Sequence, residues 1–594
     1  MYRAPLKDLR FVLHELIGEA SLQACPPHAE YSLELADAVL DEAAKFAENV
    51  LDPLYKSGDR DGARWTPDGV VGAPGFKSAY QQYVEGGWPA LRAASRWGGQ
   101  GMPTVLGTAV EEIWAGSNLA FKLCPMLTQG AIEALEHYGS SAQQEKFLPK
   151  MVSGEWTGTM NLTEPQAGSD LAAIRTRAVA DGANHRLFGQ KIFITYGDHD
   201  FTSNTIHLVL ARIDGAPAGV KGISMFIVPK VLVNDDGTLG ARNDVHCISI
   251  EHKLGIHASP TCVMAFGQKD GAIGHLVGEA GRGLEYMFVM MNAARLSVGL
   301  EGYAVADRAY QQAADWARTR VQGKPPVAAP SGPLPIAHHP DVKRMLLTMK
   351  SQTEALRAVA LHAAWQLDLG AHHPDASARA AAQARGDLLI PLVKGCSTEA
   401  GIDLASLGIQ IHGGMGFVEE TGAAQPYRDV RITTIYEGTT GIQSNDFVGR
   451  KIGRDRGAAL AALVLEMRRD LAAASAGDAT VAAAAVATLE SIDALEAAAR
   501  KILESLASEP ARALAVSVPF MRLAGHVVAG WQLVKAADIA ARHLAAEAAD
   551  RDFLRGKIAS AAFHATHVLP QAHALARVVE HGANSVLGVD VALF

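Results

Sequence analysis

The residues whose types and spacing could do chemistry concentrate in IQIHGGMGFVEETGAAQPYRDVRITTIYEGTTGIQ, from Ile409 to Gln443. Gly413, Gly414 and Gly416 carry no Cβ, so backbone there can lie against a bulky planar or phosphate-bearing group. The spacing is not G-x-G-x-x-G, because Glu419 stands where a third glycine would be, and this disfavours a Rossmann dinucleotide site. Taken alone, the glycines read as a plain turn. Thr440 and Gln443 have capping-box spacing ahead of Ile442, Phe447 and Val448, and Gly453 stands where that helix would close. Glu437 then falls on a loop just before a helix N-terminus. Partial positive charge there favours the carboxylate, while burial would raise its pKa and strengthen it as a base. Read singly, the same glutamate only decorates a helix start.

A second segment, MNLTEPQAGSD from Met160 to Asp170, is followed closely by GQKIFITYG from Gly189 to Gly197. Thr163, Gly168 and Ser169 offer hydroxyl and backbone donors without a formal positive charge, which suits a polar ring edge or a phosphate. Phe193 and Thr195 alternate with Ile192 and Ile194 along an expected strand and so share one face. An aromatic beside a hydroxyl can cover one side of a flat cofactor; the competing reading is an ordinary core Phe.

These residues must be held by a large scaffold. At 594 residues the chain exceeds one hydrophobic core several times over, so three or four domains are expected. Helical spacing runs from about Tyr31 to Lys150, broken by glycine-rich loops such as WGGQGMP (Trp97 to Pro103). Short alternating or β-branched runs follow: KIFIT, IHLVLARI (Ile206 to Ile213) and ISMFIVP (Ile223 to Pro229). Helical periodicity resumes at Leu284 and continues to about Gly453, with a Pro-rich break at Lys324 to Pro340. Beyond Arg454 the chain is Ala-rich and strongly helix-favouring. The expected fold is a multidomain α+β chain: an N-terminal extension (1–30), a helical N-terminal domain (31–155), a β-rich middle domain (156–277), a helical-bundle domain (278–453) and an additional Ala-rich helical C-terminal domain (454–594).

Composition excludes several functions. Hydrophobic residues at 48% and charged ones at 20% argue against disorder and against a membrane bundle. A formal charge of -9 with no run of Lys or Arg gives nucleic acid no basic face. Cys25, Cys124, Cys247, Cys262 and Cys396 are scattered, with no C-x-x-C pair, which fits a reducing cytoplasm. The N-terminus lacks the apolar run of a secretory signal, and no stretch has the roughly 20 apolar residues of a membrane span. His338-His339 and His372-His373 lack further converging ligands, so no metal site is expected. Arg428, Asp429 and Arg431 read as structural ion pairs holding the loop of Glu437.

TEPQAGSD paired with GQKIFIT, GEAGRGLEYM (Gly278 to Met287), QIHGGMGF and RDVRITTIYEGTTGIQ together resemble, in order and spacing, the signatures of the acyl-CoA dehydrogenase family. The likeness covers about Tyr31 to Gly453. The N-terminal segment and the Ala-rich C-terminal domain resemble the additions of a larger bacterial subgroup that includes 3-methylmercaptopropionyl-CoA dehydrogenases.

The resemblance implies FAD held between the middle domain and the following helices and partly completed by a second subunit, hence a homodimer. It implies flavin contacts at Met160, Leu162, Thr163, Phe193 and Thr195, with Phe193 standing where many members have Trp. Gln410 to Gly414, including Gly413 and Gly414, would receive the far end of FAD. Arg320 would meet its pyrophosphate, although Gln322-Gly323 departs from the usual Phe-Gly. Thr439 and Thr440 would also touch FAD. Ser169, Asn292 and Arg295 would contact the CoA moiety; outside the motif, Arg295 reads as a helix-surface ion pair. Some members carry the base on the earlier helix, where this chain has Ala294, and that leaves Glu437 as the base. The implied reaction is α,β-dehydrogenation of an acyl-CoA to a trans-2-enoyl-CoA, with Glu437 taking the α-proton and its backbone N–H polarising the thioester carbonyl. Electrons would pass to an electron-transfer flavoprotein. The substrate would be a fatty acyl-CoA or 3-methylmercaptopropionyl-CoA, with Met126 and Leu127 expected to border the acyl tail. The alternatives are an acyl-CoA oxidase using oxygen and a non-catalytic flavoprotein scaffold.

Overall fold

The computed structural model describes residues 1–326, 333–474 and 476–594. Part of the expected Pro-rich break, 327–332, therefore lies outside the described residues. The chain forms two compact units. One comprises Met1–Ala44, Pro103–Gly116 and Val298–Phe594; the other comprises Lys45–Met102 and Ser117–Ser297.

The second unit carries the β structure. Strands β1 (Arg64–Thr66) and β2 (Gly69–Val71) form a small antiparallel hairpin inside the region expected to be helical. Its signal was the Pro67-Asp68-Gly69 turn, with Gly69 at φ 135. The remaining strands are β3 (Trp156–Asn161), β4 (Arg177–Asp181), β5 (Asn184–Thr195), β6 (Asn204–Ile213), β7 (Ile223–Pro229), β8 (Val231–Val233), β9 (Leu239–Arg242), β10 (Val245–Ile250), β11 (Thr261–Phe266) and β12 (Ala272–Val277). The main sheet runs β10-β11-β5-β12-β7-β6-β3, with β4 beside β5 and β6. β3 and β7 are buried at every position, so both their faces are covered. Leu187, Ile194, Val209, Phe226, Cys262 and Phe266 fill the sheet's core.

Long helices build the first unit: the C-terminal part of Gly283–Thr319, then Pro340–His372, Ala376–His412, Ala479–Ser508 and Ser517–Ala545. The first and third of these approach through glycine. A Cβ on Gly302 would meet the Ser397 carbonyl oxygen at 2.3 Å, and one on Gly401 would meet that of Gly302 at 2.6 Å. Helical periodicity locates the elements but not this crossing. Among the described residues no helix is long and apolar enough to cross a membrane.

The N-terminal segment is integral to this unit. Phe11 packs with Ala536, Ala540 and Leu554 of the C-terminal helices. Beside it, Lys557 donates to the Asp8 carboxylate. Arg357, 1% exposed, pairs with Glu112 at 2.6 Å and lies 3.7 Å from both Asp8 and Asp307. Burial works against the Arg357 charge, but Glu112, Asp307 and Asp8 outweigh it and hold the guanidinium firmly protonated. Removing one member of such a buried cluster leaves the others uncompensated. Arg357→Met is expected to lose about 3–5 kcal/mol of stability in urea denaturation followed by helicity. A loss below about 1 kcal/mol would show that water, not Arg357, satisfies Glu112.

Candidate active site

In the β unit, the residues of the first loop and of β5 form one piece because two buried charges join them. After β3 the chain turns back on itself, with Glu164 and Ala167 exchanging backbone hydrogen bonds at 2.9 Å. Glu164 is 4% exposed and its carboxylate accepts from Lys191 Nζ (2.8 Å), Thr176 Oγ1 (2.6 Å) and the N–H groups of Arg175 (2.6 Å) and Thr176 (3.0 Å). Lys191, fully buried, also donates to the Leu162 carbonyl at 2.9 Å, and the Ile192 N–H donates to that of Thr163 at 2.9 Å. Burial alone would raise the Glu164 pKa, yet Lys191 and the other donors hold the carboxyl down to about 2. Burial lowers the Lys191 ammonium to about 8 despite Glu164. TEPQAGSD and GQKIFIT therefore belong together through Glu164 and Lys191, neither of which was a candidate from the sequence. A carboxylate and a lysine in paired motifs were the available signal.

Simple alternation does not describe the end of β5. Cys262 pairs with Ile194 but Met264 pairs with Lys191, so β5 carries an extra residue, and Phe193 adopts φ 59. Phe193 is consequently 58% exposed while Ile194 is buried and Thr195 half-buried. Met160 is 9% exposed, and Leu162 and Thr163 are half-buried. Asn292 is half-buried on the Gly283–Thr319 helix, and Ser169 is exposed. Among the described residues, no hydrogen bond joins either of them to the loop and strand. Arg295 is 5% exposed, so the surface ion-pair reading fails. Met126 and Leu127 are buried in this unit.

In the helical unit, Glu437 lies between the turn Arg431–Thr434 and the helix Thr440–Asp446, half-buried and at φ 54. The N-cap is Thr439, whose Oγ1 accepts from the Ile442 N–H at 3.3 Å, so the capping box expected of Thr440 and Gln443 does not form. Thr440 instead donates to Glu399 at 2.5 Å. Gln443 turns back into the loop and donates to the carbonyls of Glu437 (3.1 Å) and Gly438 (3.2 Å). Lys394 Nζ donates to the Gly438 carbonyl at 2.6 Å, and the Tyr436 hydroxyl donates to Glu301. Arg428 pairs with Glu419 at 2.9 Å and Arg431 donates to Thr434 at 2.8 Å, while Asp429 is buried.

Arg320 and the Gln410–Gly414 stretch come together in the same unit. The Arg320 guanidinium lies 6.0 Å from the Trp316 ring, which stacks on His412 at 5.3 Å. Gly413 (φ 63) ends the long helix, and a Cβ on Gly413 or Gly414 would meet nothing within 4 Å. Gly416 differs: its Cβ would strike the Ile409 carbonyl oxygen at 2.2 Å, so the chain's own backbone demands glycine there. Gln410, Gly413, Gly414 and Arg320 are exposed, as is Phe417 at 89%.

His339 is bonded to the Gln322 carbonyl and His372 packs edge-on against His28. Among the described residues no three His, Cys, Asp or Glu gather as metal ligands. A cavity of about 350 Å³ is lined by Cys396, Asp403, Arg522 and His564, and by Glu399, which accepts from Thr440. It is not the candidate site.

In the β unit an exposed ring on a bulge with threonine hydroxyls in the same loop and strand, and separately in the helical unit an open glycine pair, are each of the chemistry a flavin dinucleotide needs. Comparison with known proteins agrees. The chain matches, in order, the acyl-CoA dehydrogenase N-terminal domain (residues 34–155), middle domain (159–268) and C-terminal domain (281–452), then an acetyl-CoA dehydrogenase C-terminal-like domain (463–590). The chain belongs to the acyl-CoA dehydrogenase family and is an FAD-dependent oxidoreductase with an additional C-terminal helical domain. It is 46% identical, over 96% of its length and 97% of the relative's, to the 3-methylmercaptopropionyl-CoA dehydrogenase of Ruegeria pomeroyi. It is 35% identical, over the whole of both chains, to a broad-specificity linear acyl-CoA dehydrogenase of Mycobacterium tuberculosis. The fold is also that of a Bacillus anthracis acyl-CoA dehydrogenase solved with FAD, with TM-score 0.74, 20% identity and coverage of 99% and 94% of the two chains.

The Glu164 clamp has a pH signature. Its folded pKa, about 2, lies below the ordinary 4.5, so its stabilisation is present above about 4.5 and is lost as pH falls toward 2. Wild type should lose thermal stability more steeply than Glu164→Gln over that window. The variant should already be less stable at pH 7 and should retain less FAD after gel filtration. Parallel slopes for the two proteins would contradict the clamp.

Proposed function

We propose that Glu437 is the base that removes the α-proton of a CoA thioester, giving a trans-2-enoyl-CoA. The observation that carries this is the conformation of the residue. A glutamate at φ 54 is strained by about 1–3 kcal/mol, and here its own carbonyl and that of Gly438 are tied down by Gln443 and Lys394, as expected of a group that must present its carboxylate and N–H in fixed directions. Ala294, at the rival position, has nothing to ionise. The Glu437 N–H would polarise the thioester carbonyl and so acidify the α-carbon that its carboxylate attacks. Bound FAD supplies the hydride acceptor for the β-hydrogen.

Met160, Leu162, Thr163, Phe193 and Thr195, with Arg320, Gln410, Gly413, Gly414, Thr439 and Thr440, would hold the cofactor. Phe193 would stack on it with less area than Trp and without an indole N–H. Ser169, Asn292 and Arg295 would bind CoA; a buried guanidinium suits phosphate or ribose oxygens. The relatives support a fatty acyl-CoA or 3-methylmercaptopropionyl-CoA as substrate. A homodimer, an electron-transfer flavoprotein as acceptor and a cytoplasmic location complete the reading. Five free cysteines are compatible with a reducing compartment. The boundaries at 30, 155, 277 and 453 are proposed as those of the functional domains.

Glu437→Gln should bind FAD normally and lose flavin bleaching by acyl-CoA by about 10²–10⁴-fold in anaerobic stopped flow. Near-normal bleaching would sink the assignment. A dye-linked assay across straight-chain acyl-CoAs and 3-methylmercaptopropionyl-CoA identifies the preferred acyl group.

A further inference from the structure

The loop of Glu437 is held by side chains that come from other elements and are themselves fully buried. Glu301 (0% exposed), on the Gly283–Thr319 helix, accepts from Tyr436, the residue before Glu437. Gln443 (0% exposed) donates to the Glu437 and Gly438 carbonyls from the helix that follows. Lys394 (0% exposed), on the Ala376–His412 helix, donates to the Gly438 carbonyl at 2.6 Å. Gly438 has φ 91, and a Cβ there would lie 2.8 Å from Gln443 Nε2, so the glycine makes room for this donor. A wholly buried amide and a wholly buried ammonium thus converge on one carbonyl, one residue beyond the proposed base. The Gly438 oxygen is held by a charge-assisted bond and a neutral one. Together with the bond to the Glu437 carbonyl, this restrains the backbone torsions that aim the glutamate.

We infer that Lys394 and Gln443 are positioning residues for Glu437, and that Lys394 also sets its proton affinity through the buried positive charge it places beside the loop. The inference rests on Glu437 being the base. Other charged groups around the loop include Glu301 from the Gly283–Thr319 helix, Glu399 bonded to Thr440, and Asp429, which with Glu301 and Glu437 acts electrostatically on Tyr436. Arg431 is exposed and donates to Thr434. Lys394 therefore supplies buried positive charge against several carboxylates, which favours the ionised form of Glu437.

The two side chains separate geometry from charge. Gln443→Leu removes a neutral donor; Lys394→Met removes a donor and a charge while keeping similar length. In the FAD-loaded enzyme both should lower kcat about 10- to 100-fold, with KM within about twofold. The acid limb of the pH profile of kcat should move upward in Lys394→Met and stay in place in Gln443→Leu. Lys394→Gln, which keeps a donor without the charge, carries the test should the Met variant fail to fold, and it should show the same upward limb. Bound flavin and melting temperature are measured alongside. A charge-removing variant at position 394 with wild-type kcat and an unmoved acid limb overturns the inference. Equal limbs in the Lys394 and Gln443 variants overturn the charge role. Glu437→Gln is the control: if it bleaches flavin normally, the assignment of Glu437 fails, whereas an inactive Glu437→Gln with an unaffected Lys394→Met overturns the positioning role alone.

Discussion

A hydrogen bond from a buried lysine ammonium to a loop carbonyl is the interaction on which the candidate residues of each unit depend. Lys191 holds the Leu162 carbonyl in the β unit, and Lys394 holds that of Gly438 in the helical unit. Both side chains are fully buried, and an ammonium out of water is tolerated only where acceptors are in place. The coupling works in both directions. The loops give the lysines acceptors, and the lysines fix the loops far more tightly than a neutral donor at a surface turn would. Lys191 adds Glu164 as a countercharge, which joins the first loop to β5.

Strain can persist only on such supports. Phe193 at φ 59 and Glu437 at φ 54 adopt a backbone region that bulky residues rarely enter. Left-handed backbone alone does not mark function, since Arg456, Glu547 and Asp550 share it beside helix ends. What distinguishes Phe193 and Glu437 is that each sits within a residue or two of a buried, charge-assisted anchor. The bulge turns an apolar ring outward instead of into the sheet, and the anchored loop keeps a glutamate from relaxing into the helix that starts three residues later.

Much of this was legible in the sequence, and the parts that were not share one cause. The strands around KIFIT, IHLVLARI and ISMFIVP and the helices of the C-terminal half follow from periodicity, because period 2 and period 3.6 are local properties. Glu437 ahead of a helix start was also readable. The bulge at Phe193 was not, since it is defined by register against β11, about 70 residues away in sequence. Gln443 and Thr440 had the right spacing for a capping box; the cap went to Thr439 because Gln443 found two carbonyls and Thr440 found Glu399. Arg295 read as a surface residue because a helix face cannot be assigned in or out without its neighbours. Motif strings record that residues belong together, whereas the physical partners, Glu164 with Lys191 and Lys394 with Gly438, need the tertiary fold.

The Ala-rich C-terminal helices pose a different problem of specificity. Alanine favours helix but offers little side-chain surface, so such helices could dock in several registers. The structure resolves this with a few large or polar anchors. Trp531 is fully buried, donates to Asp470 at 3.1 Å, and packs edge-on against His362 at 5.3 Å. Lys557 reaches Asp8 of the N-terminal segment and lies 3.7 Å from Glu354. A buried ion pair adds little net stability compared with a well-packed apolar pair, but a mispaired one is heavily penalised. Alanine makes these helices; the buried charges select which arrangement of them is allowed, and the N-terminal segment is fixed by the same selection.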